Sequence, residues 1–65
     1  MSQKILYSCI VFFLPDAGIR PRKYRNVNSL MRFEKFVTSM GGIYYNVYNK
    51  RTREFIERVY IKKAG

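Results

Sequence analysis

The sequence predicts a small α+β domain: one antiparallel sheet of about four strands with a single helix packed on one face, in the order ββαββ. Three observations lead there. Residues 4–14, "KILYSCIVFFL", form a β-branched and aromatic run. Residues 28–42, "NSLMRFEKFVTSMGG", repeat apolar side chains at helical spacing and close on two glycines. Finally, "IYYNVY" and "EFIERVYIK" flank the polar "NKRTR" as two strands flank a hairpin loop. A helix and a sheet that are each apolar on one side bury those sides against one another.

The first strand is apolar on both alternating sets. Ile5, Tyr7, Cys9, Val11 and Phe13 form one, and Leu6, Ile10, Phe12 and Leu14 the other, broken by Ser8. Such a strand is central, or meets a partner on its second face. "LPDAG" then reads as a turn opened by Pro15 and Asp16, with Gly18 free to take positive φ. The segment from Ile19 to Val27 would return as a second strand or remain an irregular arm. Pro21 has no amide hydrogen, which confines it to a sheet edge.

Asn28 or Ser29 can cap the helix that follows. Leu30, Phe33, Phe36 or Val37, and Met40 share one stripe, with Arg32 and Lys35 off it, and Gly41 and Gly42 supply the stop. In the hairpin, pairing Tyr48 with Glu54 segregates the side chains best. Ile43, Val47, Phe55, Val59 and Ile61 then share one face, and Tyr44, Asn46, Tyr48, Ile56, Arg58 and Tyr60 the other. The second face has no element left to cover it.

Sixty-five residues allow one domain, 1–65. A chain this short buries only about 60% of its unfolded surface, so a partner subunit would add core that it lacks. A homodimer, stacked face to face through the aromatic sheet face or paired at a sheet edge, is therefore expected. Apolar residues are 48% of the chain and aromatics 17%, enough for a real core. One cysteine, Cys9, cannot form an internal disulfide and fits a small buried residue. The apolar run near the N-terminus is about half of the roughly 20 residues needed to span a bilayer. No membrane partner and no cleaved leader are expected, and the chain reads as cytoplasmic.

Catalysis has little to draw on. There is no His, and the acids are Asp16, Glu34, Glu54 and Glu57. Glu54 and Glu57 are three apart and fall on opposite faces of a strand. Cys9 has no imidazole to activate it. Neither an enzyme nor a metal or other cofactor is expected. "GGIYYNVYNKRTREFIERVYIK" resembles the GIY-YIG nuclease motif over residues 42–62, with Gly42, Ile43 and Tyr44 as its first triplet. Tyr60 and Ile61 begin the second triplet, where Lys62 replaces the final Gly. The resemblance implies a two-stranded hairpin. The spacer is longer than that family's, and its later Arg-bearing helix and Glu have no counterpart, so nuclease activity does not carry over.

Charge is the strongest functional signal. Thirteen Lys and Arg against four acids give +9, a field that attracts polyanions. The cations cluster as Arg20, Arg22, Lys23 and Arg25, as Lys50, Arg51 and Arg53, and as Lys62 and Lys63. Tyr44, Tyr48 and Tyr60 surround Arg58 on the uncovered sheet face, and bases stack on such rings. The expected function is non-enzymatic nucleic-acid binding, DNA or RNA, mainly through phosphate contacts from arm and loop. The alternative is a small modulator, of the virus or mobile-element kind, that blocks an acidic surface on a larger host or defence enzyme.

Overall fold

The computed structural model describes residues 6–61. Its elements are β1 (Tyr7–Phe12), a 3-10 turn (Pro15–Ala17), β2 (Arg22–Val27), α1 (Leu30–Met40), β3 (Tyr44–Asn49) and β4 (Phe55–Tyr60). The four strands form one antiparallel sheet in the order β2-β1-β3-β4. The predicted ββαββ architecture is the observed one, with the doubly apolar strand in the centre and the Pro21 segment at an edge. Residues 19–27 resolve into a strand from Arg22, with Arg20 and Pro21 ahead of it. Because β2 and β3 both run antiparallel to β1, they are parallel to each other, and α1 is the crossover between them.

The odd-numbered set of β1 faces the helix. Cys9, Val11 and Phe13 form the core with Val27, Phe33, Val37, Tyr45 and Val47. The Phe33 ring meets Tyr45 edge-on at 5.1 Å and Tyr24 at 5.5 Å. The helix stripe runs through Val37, which is fully buried, while Phe36 stays 44% exposed. Ser29 is the N-cap, its hydroxyl accepting from the Arg32 amide at 3.3 Å. Gly41, at φ 86°, supplies the left-handed stop. Gly18 takes the positive φ that its turn predicts, 72°.

Two bulges set what each sheet face carries. Between Tyr7↔Val27 and Cys9↔Tyr24, two residues of β2 (Arg25 and Asn26) oppose the single Ser8. Tyr24 and Val27 are three apart and would otherwise point to opposite faces; the extra residue returns both to the core side. The second bulge corrects the expected hairpin register. Tyr44 pairs with Tyr60, Asn46 with Arg58 and Val47 with Glu57, two residues away from the predicted pairing. Tyr48 then pairs with Phe55, skipping Ile56. Phe55 therefore leaves the helix side and joins Tyr48 on the open face. The tight loop decides this, because it closes on an Asn49–Glu54 backbone hydrogen bond of 2.9 Å and not one strand position deeper.

Candidate nucleic-acid interface

The open sheet face is built from the even positions of the two central strands. Ser8, Ile10 and Phe12 of β1 lie beside Tyr48, Asn46 and Tyr44 of β3. Lys23 of β2 lies beside Ile10, and Arg58 and Tyr60 of β4 lie beside Asn46 and Tyr44. Across-strand packing half-covers Ile10 and Phe12, so this face is not a bare apolar layer.

At one end the face carries a row of rings. Phe12 stacks on Tyr44 with centroids 4.7 Å apart and planes 20° from parallel. On the other flank, the Arg58 guanidinium lies over the same Tyr44 ring, 4.8 Å from its centroid. Strands β1 and β4 approach Tyr44 from opposite sides, so both faces of this ring are occupied. Within the sheet, Tyr44 is thus flanked by Phe12 and by Arg58. The exposed rings are Tyr60, at 64%, and Phe55, at 57%. Tyr60 leans on Tyr44 and Phe55 packs edge-on against Tyr48 at 5.7 Å. Phe55 is missing from the sequence-derived site because strand alternation alone sends it to the core side.

A hydrogen-bonded chain fixes Arg58. Its Nε donates to Asn46 Oδ1 at 2.9 Å and its Nη1 to the Tyr60 hydroxyl at 3.5 Å. Asn46, only 7% exposed, uses its amide nitrogen to donate to the Tyr48 hydroxyl at 3.5 Å. The Tyr60 bond holds the Arg58 pKa above its ordinary value, despite an opposing desolvation effect. A guanidinium has five N–H donors, so most of them remain free for an acceptor above the sheet.

At the other end lies a cavity of about 540 Å³ lined by Ser8, Ile10, Lys23, Arg25, Tyr48, Asn49, Lys50 and Arg53. Four of these eight are cations and none is an acid, so the cavity is a positive concavity in which like charges lie side by side. Lys50 Nζ donates to Asn26 Oδ1, tying the hairpin loop to the bulged end of β2 across β1. In the loop, Asn49 Oδ1 accepts from the amides of Arg51 and Thr52 at 2.8 and 3.1 Å. Arg53 takes φ 67°, a left-handed conformation usually left to Gly or Asn. The acids sit elsewhere. Asp16 is in the turn after β1, Glu34 on the helix, Glu54 at the loop's end, and Glu57 opposite Val47 on the helix side.

The structure thus unites only part of the predicted cation set. Lys23 and Arg25 join Lys50 and Arg53 in the cavity, and Arg58 joins Tyr44, Tyr48 and Tyr60 beside it. Arg22 pairs with Val11 and so alternates to the helix side, Arg20 precedes the strand, and Arg51 is exposed at the turn away from the cavity lining. Lys62 and Lys63 lie outside the described residues. Across the hairpin Tyr44 pairs with Tyr60, and the Ile61 amide donates to the Ile43 carbonyl at 2.9 Å; the Tyr44 ring also packs on Phe12 and Arg58. Among the described residues, no three His, Cys, Asp or Glu side chains converge as metal ligands, and no helix is long and apolar enough to cross a membrane. Comparison with family models, curated proteins and solved structures returns no match.

Proposed function

We propose that this protein is a non-enzymatic nucleic-acid-binding module whose contact surface is the open face of its sheet. The observation that carries this reading is the acid-free cavity lined by Lys23, Arg25, Lys50 and Arg53. Four cations around one concavity repel one another in the free protein, and a phosphate backbone relieves that repulsion while releasing its own counterions. Arg53 adds weight, since a non-glycine residue held at positive φ costs about 1 kcal/mol or more. Phosphate contacts set affinity, and the aromatic end of the face supplies contacts to bases.

Fluorescence anisotropy with labelled oligonucleotides at several salt concentrations tests this. If the four cations each neutralise a phosphate, log affinity falls against log salt with a slope of about −3 to −4. Lys23→Glu with Arg25→Glu abolishes most of the binding for every sequence alike, whereas Arg22→Glu, on the opposite side of the sheet, has a smaller effect. Absence of binding to any nucleic acid at low salt would sink the reading.

A second reading is favoured by one observation. Phe55, Ile56 and Tyr60 are 57%, 43% and 64% exposed along one edge strand. Grouped apolar exposure of this kind suits a protein contact, either a second copy of this chain or an acidic partner. Light scattering of the free protein gives the dimer mass if the copies pair through this strand. Monomers that ignore nucleic acid but retain an acidic protein favour the modulator.

A further inference from the structure

The open face holds two exposed aromatic platforms, and their spacing bears on the form of the ligand. Phe55 lies beside Tyr48, and Tyr60 lies beside Tyr44. Those positions are four residues apart on β3, about 13 Å at ~3.3 Å per residue. Consecutive bases on a strand of a stacked duplex rise only about 3.4 Å. Neighbouring bases in a helix therefore cannot lie on both platforms, and base faces inside a duplex are not available to rings in any case. Bases splayed outward from an extended strand have both the free faces and the reach.

Between the platforms stands Arg58, opposite Asn46. It is held on three sides by Asn46, Tyr44 and the Tyr60 hydroxyl. A guanidinium fixed in this way presents its remaining N–H groups with little further loss of side-chain freedom. Its place between two stacking rings is where the backbone joining two splayed bases has to pass.

Resting on the nucleic-acid reading above, we infer that the ligand is a single strand laid along β3 and β4. One base stacks on Phe55, the next unstacked base on Tyr60, and the linking phosphate sits on Arg58. The strand's continuation past Phe55 enters the cationic cavity. The face selects unpaired nucleic acid, RNA or DNA, over duplex.

Three probes of equal length and charge decide this, with RNA and DNA versions of the first: a single strand, its hairpin duplex, and a strand with abasic sites at alternate positions. The single strand binds at least tenfold more tightly than the other two. Phe55→Ala weakens single-strand binding roughly 5- to 150-fold and leaves duplex binding unchanged. Phe55 is already more than half exposed, so circular dichroism is expected to show a folded variant. Tyr60→Phe keeps the ring but removes one of the three restraints on Arg58, and costs a smaller factor on the same probe. Equal affinity for all three probes, or a Phe55→Ala protein that binds single strands normally, overturns the inference and leaves the charge-based reading standing. Failure of every probe at low salt overturns both.

Discussion

Gly42 is buried where the chain leaves α1 and turns into β3. A Cβ placed there would lie 2.5 Å from Val37 Cγ1 and 2.9 Å from Val11 Cγ1. Both neighbours are fully buried β-branched side chains with no room to turn. Gly42→Ala is therefore expected to destabilise the protein by about 1–3 kcal/mol through overpacking. For a chain this size that is a drop in Tm of roughly 5–20 °C. Gly41→Ala next to it meets nothing within 4 Å, and costs only the strain of its positive φ, about 1 kcal/mol. Thermal melts of the two variants separate close approach from backbone conformation. A harmless Gly42→Ala would mean that helix and sheet are not in contact here.

In the β3–β4 hairpin, stability and the proposed binding depend on the same residues. Arg53 closes its loop at positive φ, its amide donating to the Asn49 carbonyl at 2.6 Å. Arg53→Gly removes a strain of about 1–2 kcal/mol, partly offset by the greater freedom of Gly in the unfolded chain, about 0.5–1 kcal/mol. The expected Tm is unchanged or a few degrees higher. The same change deletes one cavity cation, so the salt dependence of nucleic-acid binding should become shallower by about one phosphate's worth, 0.7–0.9. A variant that is less stable and binds as before would reverse both expectations and mark Arg53 as a purely structural residue.

For the molecule taken together, the core predicts how stability responds to alkali. Burial pushes the Cys9 thiol up to about 11 and the Tyr45 phenol up to about 12, the latter helped by the charges of Glu34, Cys9 and Glu57. Both are acids that the fold keeps protonated. Their contribution is complete below the unfolded values, about 8.5 for Cys and about 10 for Tyr. It is lost as pH rises from there through the folded values. That loss is drawn from the small reserve of stability that a 65-residue chain holds. The Tm should be steady from pH 7 to about 8.5 and fall between pH 9 and 12. Tyr45→Phe keeps the ring and should make the fall above pH 10 shallower. An unchanged pH profile in that variant would count against Tyr45 as a cause. In native protein at neutral pH, Cys9 should react with thiol reagents only as fast as the chain unfolds.

Much of this architecture was legible in the chain. Apolar residues on both alternating sets of the first run required a central strand, and Pro21 required an edge. The 3.6-residue stripe from Leu30 to Met40 between Ser29 and Gly41 required a helix. Those are local properties, each enforced by a backbone period or a missing amide hydrogen. The +9 charge is equally plain in the chain, and it motivates the polyanion partner proposed above. The composition of the site depended on long-range pairing. One unpaired residue in each edge strand returned Val27 to the core and turned Phe55 out to the open face. Strand alternation separated Arg22 from Lys23 and Arg25, and the crossing of β1 by the hairpin loop brought Lys50 and Arg53 to them. A bulge is a compromise between loop closure and the pairing of distant strands, so no run of neighbouring residues encodes it, and only the folded sheet decides which side chains share a surface.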